Sequence, residues 1–155
     1  MQSDENKLFN PDKEVSGGEF LNILYNTDKT KPQLEEGVSK EEGINNWIKE
    51  NKLLCEECIE FNPEGPISRE NLASVLYLYA QAKGFDVAVG EETNILSYED
   101  AFDILPCNIS AMQYTAGAQI INGKTLSTLN PGDNATRGEV ALIMERFLKY
   151  NTPVK

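Results

Sequence analysis

The chain has 155 residues, of which 40% are apolar, so it is long enough to form one domain with a hydrophobic core over residues 1–155. Its 25 Asp and Glu against 14 Lys and Arg give a formal charge of −11, which argues against nucleic-acid binding because such binding requires cations that displace phosphate counterions. The chain has no His and no apolar run near the roughly 20 residues of a membrane helix, so we expect no metal, no cofactor and no membrane insertion.

The N-terminus, from Met1 to Lys7, is polar and lacks the basic and apolar stretches of an export signal. Taken literally, this pattern predicts a cytoplasmic protein. The alternative is that Met1 begins an excised or processed part of an exported protein, and the repeats that follow favour this alternative.

Three segments share a pattern in which Asn-Pro is followed, five residues after the proline, by Ser or Thr. These residues, Ser16, Ser68 and Thr136, each precede an apolar series with the i, i+3, i+4 spacing of one helix face. We therefore predict three helix N-caps, with Glu19 and Glu139 completing capping boxes. The apolar residues expected to meet at one shared axis are Ile23, Leu24, Val75, Leu76, Ile143 and Met144.

A second repeated element lies upstream of the second and third patterns. Residues 43–54 align with residues 110–121, so that Trp47 matches Tyr114. Both stretches predict short amphipathic helices followed by a loop. No such helix precedes Phe9, so the chain contains three cap-type helices and two aromatic ones.

The stretch between these elements, residues 84–107, reads as an irregular insertion with a short helix predicted at 97–104. Strand signals are weak, and helices joined by loops describe the whole chain. Neighbouring copies must then share apolar faces to bury them. The copies run approximately over residues 9–42, 43–109 and 110–150.

The three cysteines leave at least one thiol unpaired in a monomer. Cys55 and Cys58 have the spacing of a redox motif or of half a zinc site, but the chain offers only Cys107 and carboxylates as further ligands. The two glutamates between them disfavour the thiolate that a redox cysteine requires. We interpret the cysteines as structural or incidental, with a redox function as the lesser alternative.

Together these patterns resemble the S-layer homology domain of bacterial surface proteins. The resemblance extends from Phe9 to about Leu148, and residues 93–102 look like copies appended to exported enzymes of Gram-positive bacteria. The other stretches that carry it are residues 67–73, 117–123 and 134–141.

The resemblance implies an all-α fold with pseudo-threefold symmetry. One helix from each of three tandem repeats would form a central three-helix bundle, and the other helices would form peripheral prongs with long loops. It also implies noncovalent attachment, through grooves between repeats, to a secondary cell-wall polysaccharide, often one that bears pyruvylated N-acetylmannosamine. The chain would then be extracellular and associated with the cell wall or an S-layer, with other surface-protein domains as further partners.

By the same resemblance, Arg69 and Arg137 match the basic position of the family's Thr-Arg-Ala-Glu motif, directly after the caps Ser68 and Thr136. A guanidinium donates two parallel hydrogen bonds to a carboxylate such as that of a pyruvyl ketal, and a helix N-terminus adds backbone N–H donors. The alternative is a surface Arg paired with a nearby Glu. Gly17 replaces Arg in the first copy, so that groove should lack its main anion contact.

The predicted ligand-binding residues are Arg69, Arg137, the caps Ser68 and Thr136, and in addition Trp47, Tyr114 and Gly123. Aromatic faces pack against sugar C–H surfaces, and burial between helices is the alternative for both rings. Gly123 either permits a left-handed helix exit or lets a ligand approach the backbone closely.

A non-catalytic cell-wall anchor is therefore the leading hypothesis, and a helical protein–protein adaptor on the same scaffold is the alternative. No motif indicates a nucleophile system, a phosphate-binding loop or a full metal site, so we predict no enzyme activity. The acidic residues do not indicate a glycosidase either. A glycosidase uses a pair of carboxylates, but among 25 Asp and Glu some neighbouring pair is expected by chance. We expect the grooves to be more positive than the acidic general surface.

Overall fold

The structure of the chain, a computed structural model, describes residues 9–57 and 61–152. Loops and four single-turn 3-10 helices connect the α-helices, and the extended backbone of these residues forms isolated bridges only. The predicted all-α class is thereby confirmed. The α-helices of the described residues are α1 (Gly17–Thr27), α2 (Lys40–Glu50), α3 (Arg69–Ala82), α4 (Ile109–Gly117) and α5 (Arg137–Asn151).

The region predicted to hold a short helix at 97–104 contains two separate 3-10 turns instead, Ile95–Ser97 and Ala101–Asp103. The backbone N–H groups of Tyr98 and Ile104 close these turns on Ile95 and Ala101, so no continuous helix forms between them. None of the helices in the described part of the chain has the length and apolarity needed to cross a bilayer.

The three predicted N-caps are confirmed. The Ser16 hydroxyl accepts from the Glu19 N–H at 3.1 Å, and the Glu19 carboxylate accepts from the Ser16 N–H at 2.8 Å. Thr136 and Glu139 form the same reciprocal pair at the start of α5. At α3 the Ser68 hydroxyl accepts from the backbone N–H three residues later, at 3.2 Å. These side chains satisfy N–H groups that the helix itself leaves without partners.

The residue before each cap takes part in a closed ring of backbone hydrogen bonds. Val15 donates to Ala135 at 3.0 Å, Ala135 donates to Ile67 at 2.9 Å, and Ile67 donates to Val15 at 2.9 Å. All three side chains are buried. The starts of α1, α3 and α5 are therefore held together at one end of the molecule.

The first two N–H groups of each of these helices donate to carbonyls in the loop that precedes another of the three. This pairing runs in one direction around the ring, from α1 to the loop before α3, from α3 to the loop before α5, and from α5 to the loop before α1. In α1, Gly17 donates to Gly65 at 3.0 Å and Gly18 donates to Pro63 at 2.9 Å. In α3, Arg69 donates to Asp133 at 2.8 Å and Glu70 donates to Pro131 at 2.9 Å. In α5, Arg137 donates to Lys13 at 2.8 Å and Gly138 donates to Pro11 at 2.9 Å.

One continuous hydrophobic cluster joins all five helices. Of the residues predicted at the shared axis, Ile23 is partly buried and packs against the cluster, and the other five are buried. Aromatic contacts run through the cluster from α1 to α5, with ring centroids 5.4 Å apart for Tyr25 and Trp47, 6.1 Å for Trp47 and Tyr79, and 5.9 Å for Tyr79 and Phe147.

Helices α2 and α4 end in the same way. Lys52 and Gln119, which occupy equivalent places in the alignment of the two segments, both have left-handed backbones, with φ of 51° and 57°. The next N–H in each case, that of Leu53 or Ile120, returns to a carbonyl in the last turn of the helix. Such an exit satisfies late carbonyls of the helix and turns the chain back toward the core.

A buried carboxylate, Asp28, ties together the ends of α1 and α3 opposite the ring. One of its oxygens accepts from Trp47 Nε1 at 2.8 Å and from Lys83 Nζ at 2.9 Å, and the other accepts from Thr30. Burial by itself raises the pKa of Asp28, but the hydrogen bonds from Lys83, Thr30 and Trp47 outweigh it, so the pKa lies below its usual range. Asp28 is therefore a charged structural link.

Candidate functional site

The guanidinium of Arg69 is buried, with 3% of the residue exposed. Its Nε donates to the Leu129 carbonyl at 3.1 Å, Nη2 donates to the Asn122 carbonyl, and Nη1 lies 3.4 Å from the Glu139 carboxylate. We call this set of residues, Arg69 with Asn122, Leu129 and Glu139, the Arg69 junction. Arg69 thus fastens the start of α3 to the loop between α4 and α5.

The charges around the Arg69 junction are mixed. Burial lowers the pKa of Arg69, while the charges of Glu139, Asp133 and Asp100 act in the opposite direction. Asp100 also accepts the backbone N–H groups of Leu129 and its neighbour at 2.8 and 2.7 Å. Arg69 therefore lies among carboxylates that oppose its charge, with Lys124 as a second cation beside them.

Lys124 is the more accessible cation beside this junction and was missed by the sequence reasoning. Its side chain is 41% exposed, and its Nζ lies 2.9 Å from the Asp133 carboxylate and 4.0 Å from that of Glu139. A signal existed in the sequence, since Lys124 is the only Lys or Arg between residues 84 and 136. The loop also carries the hydroxyls of Thr125 and Thr128, which lie 2.8 Å apart.

Arg137 is also buried, at the start of α5. Its Nη1 donates to the Phe9 carbonyl at 3.3 Å. Phe9 and Leu129 occupy the same place in the Asn-Pro pattern, so the two guanidinium groups approach corresponding carbonyls. The motif match between Arg69 and Arg137 therefore extends to a shared structural contact.

Gly17 occupies the corresponding position at the start of α1, and an aromatic ring lies against it. A Cβ on Gly17 would stand 2.5 Å from Cζ of Phe61 and 3.0 Å from the Asn62 carbonyl oxygen. Phe61 precedes Asn-Pro just as Phe9 and Leu129 do. We call Gly17, Phe61 and Asn62 the Gly17 junction. Any side chain added at position 17, including an Arg, meets the Phe61 ring.

The cap residues Ser68 and Thr136 are engaged in the helix starts. Their hydroxyl oxygens accept from the backbone N–H groups of Asn71 and Glu139, and the N–H groups of Arg69 and Arg137 donate to loop carbonyls at 2.8 Å. The expectation that these helix N-termini offer free N–H donors to an anion is therefore wrong, because the fold already uses them.

Trp47 and Tyr114 lie in the hydrophobic core. Trp47 Nε1 donates to Asp28, and the Tyr114 hydroxyl lies within hydrogen-bond distance of the Asn151 side chain. Burial raises the pKa of Tyr114. Neither ring presents a free face to a sugar, and burial between helices, the alternative considered for both, is what the structure shows.

Gly123 is required for a steric reason. The residue with a left-handed backbone at the end of α4 is Gln119, and the φ of Gly123 lies outside the left-handed region. The predicted left-handed exit at Gly123 is therefore wrong. A Cβ at Gly123 would overlap the Thr128 carbonyl oxygen and stand 2.7 Å from that of Thr125. Only glycine therefore permits the tight loop that carries Lys124.

The cysteines take different states. Cys107 is disulfide-bonded, Cys55 is free, and Cys58 lies outside the described residues. Across residues 9–57 and 61–152 no group of three or more His, Cys, Asp or Glu side chains is arranged to hold a metal ion.

Comparison with known families bears on the region that contains α4, the Lys124 loop and the start of α5. Residues 97–141 match the family model of the S-layer homology domain. This match covers under a third of the chain and includes Lys124 and Arg137, whereas Arg69 lies outside it. No curated protein shows a significant sequence match to the chain.

S-layer homology domains are in general non-catalytic modules that anchor proteins to the cell wall by binding secondary cell-wall polymers. They occur in cell-surface and S-layer-associated proteins. The similarity of residues 97–141 to this domain therefore supports a cell-wall anchoring role.

Proposed function

We propose that this chain is a non-catalytic module that anchors a bacterial surface protein to a secondary cell-wall polysaccharide by noncovalent contacts. The observation that carries the proposal is the match of residues 97–141 to the S-layer homology domain. That segment contains α4, the loop after it and the first turn of α5.

The proposal extends the domain to three tandem copies with pseudo-threefold symmetry, at about 9–42, 43–109 and 110–150, and places α1, α3 and α5 in a central bundle. The closed ring through Val15, Ile67 and Ala135 supports this arrangement. Because each cap helix donates to the loop of the next one in a single direction, the three starts play corresponding roles.

The polysaccharide contact that fits this geometry best is the surface beside the Arg69 junction. Lys124 presents an exposed ammonium there, and Asn122, Thr125 and Thr128 add amide and hydroxyl groups that suit sugar recognition. A carboxylate on the polymer, such as that of a pyruvyl ketal, would pair with Lys124 and displace Asp133 from it. Arg69 acts behind this surface as a positioning residue, because its guanidinium holds the loop by the carbonyls of Asn122 and Leu129.

An extracellular, wall-associated location agrees with the cysteine chemistry. Disulfides persist in oxidising compartments and are rare in the reducing cytosol, and Cys107 is disulfide-bonded. The same location suits a module whose ligand is a cell-wall polymer.

The experiment that tests the proposal is sedimentation of the chain with purified cell walls that retain their secondary polysaccharide, walls stripped of it, and walls from which only the pyruvyl groups have been removed. We expect binding to the first preparation alone. Retention on stripped walls would contradict polysaccharide recognition, and retention on depyruvylated walls would contradict the carboxylate contact.

The residue-level test replaces Lys124 with Ala and uses Lys149→Ala, an exposed lysine on α5, as the matched control. Loss of a charge-assisted contact should weaken binding about tenfold. Lys149→Ala should bind as the parent does, and both variants should keep the parent's thermal stability. Equal affinity of the two variants would overturn the assigned role of Lys124.

A further inference from the structure

An apolar groove of about 430 Å³ lies between the two 3-10 turns of residues 95–103 and the start of α4. Its floor consists of buried side chains, and its outer edge is formed by Leu96, Phe102 and Ile109. The buried floor residues are Ile95, Ala101 and Ile104. The groove is separate from the Arg69 junction, since none of that junction's residues lines it.

The edge of this groove exposes large apolar side chains. Phe102 is 89% exposed and Leu96 is 66% exposed, and Ile109 lies beside them at the first position of α4. Contiguous apolar surface of this kind commonly marks an interaction site, because each exposed side chain keeps water in unfavourable contact. An aromatic anchor at the rim of an apolar groove is also the usual centre of binding energy in a protein interface.

The charge of the surrounding segment indicates what the groove accepts. Residues 84–123 contain no Lys or Arg, and their acids lie both before and within the groove-forming turns. A second copy of this chain would bring its own charge of −11, and an anionic polymer or anionic membrane would also be repelled. The acids of this segment are Asp86, Glu91, Glu92, Glu99, Asp100 and Asp103.

We propose that this groove docks a polypeptide segment of another protein, in which apolar side chains are flanked by Lys or Arg. The apolar side chains would enter between Leu96, Phe102 and Ile109 and cover the exposed aromatic ring. The flanking cations would face the acidic segment, which speeds association and excludes acidic competitors. A wall-anchored module would thereby have one surface for its polymer and another for a basic protein partner.

The test uses a short fluorescein-labelled peptide with Leu and Phe anchors flanked by lysines. Two matched peptides accompany it, one with every Lys replaced by Glu and one with the Leu and Phe replaced by Ser. Binding to the full chain is measured by fluorescence anisotropy. We expect saturable binding of the first peptide, weakened by added salt, and at least about tenfold weaker binding of both matched peptides.

Protein variants place the peptide in the groove. Phe102→Ser should weaken peptide binding about tenfold, whereas Leu148→Ser, at an exposed leucine of α5 outside the groove, should leave it unchanged. Both variants should sediment with cell walls as the parent does, so this result is independent of the polysaccharide contact. Equal peptide affinity of the two variants, or equal binding of the lysine and glutamate peptides, would overturn the proposal. Self-association of the parent that Phe102→Ser abolishes would assign the groove to a second copy instead.

Discussion

The Arg69 junction and the Gly17 junction share the same local sequence pattern, but different side chains fill them. Both have a capped helix whose first two N–H groups donate to a neighbouring loop. At one, a buried guanidinium bridges to the carbonyls of Asn122 and Leu129. At the other, the tip of the Phe61 ring lies against the glycine, so a side chain there would require the ring to move.

The comparison shows that the space beside Gly17, which stands where the other two patterns have Arg, is taken up by a neighbouring side chain. An Arg links its loop by hydrogen bonds to carbonyls, whereas Phe61 fills the same junction with apolar volume. The Arg69 junction has the exposed cation Lys124 beside it. The two junctions are therefore expected to respond differently to substitution.

Gly17→Arg should cause the largest loss of stability. The new side chain meets the Phe61 ring and the Asn62 carbonyl, and its charge would be buried without the space to reach a partner. Overpacking and an unpaired buried charge together should lower the free energy of unfolding by about 3–5 kcal/mol. Urea denaturation followed by circular dichroism measures this change.

The double variant Gly17→Arg/Phe61→Leu sharpens the same prediction, because Leu is the residue that precedes Asn-Pro beside Arg69. Phe61→Leu alone should cost about 1 kcal/mol, and the double variant should recover at least about 1 kcal/mol relative to the sum of the single changes. Simple additivity would show that Phe61 does not occupy the Arg position. The double variant is also the appropriate one in which to measure whether an Arg at position 17 increases binding to cell walls.

Arg69→Ala should have the next largest effect, a loss of about 3 kcal/mol in the free energy of unfolding, since it removes a buried charge and leaves the Leu129 and Asn122 carbonyls without their donor. Arg146→Ala, at a half-buried arginine on α5, is the matched control and should cost less. Chemical denaturation of both variants provides the comparison. Equal losses would mean that Arg69 does not hold the loop.

Asp28 offers a reference outside both junctions. Its pKa is lower in the folded state than in the unfolded chain, so its contribution to stability is complete above about pH 4 and is lost as the pH falls through the folded value. Asp28→Asn should cost about 2 kcal/mol at pH 7, because Lys83 and Trp47 lose a charged acceptor. Denaturation between pH 2 and 7 should show a shallower acid loss in the variant; parallel profiles would contradict this role.

Arg137→Ala should have the smallest effect, a loss of about 1 kcal/mol, because its guanidinium donates to the Phe9 carbonyl at the long distance of 3.3 Å. Differential scanning calorimetry resolves the difference from Arg69→Ala. A loss as large as that of Arg69→Ala would mean that the two guanidinium groups contribute equally to stability, contrary to the difference in their contacts.

The helices were predictable from sequence because their determinants are local. An N-cap hydroxyl acts within three residues and an apolar face repeats within a turn, so Ser16, Ser68 and Thr136 mark the starts of α1, α3 and α5 correctly. The predicted helix at 97–104 failed for the opposite reason. Between its two turns, the backbone N–H of Glu99 donates to the Ser127 carbonyl in a distant loop instead of to a helical partner.

The sequence by itself determined the capped helices, the alignment of α2 with α4 and the candidate status of Arg69 and Arg137. Only the tertiary structure decided which of those groups remain accessible. Burial of Trp47, the use of helix N–H donors by distant loops and the approach of Phe61 to Gly17 all join residues far apart in the chain. A linear pattern specifies which groups a residue offers, whereas the packing of separate segments determines which of those groups are already occupied.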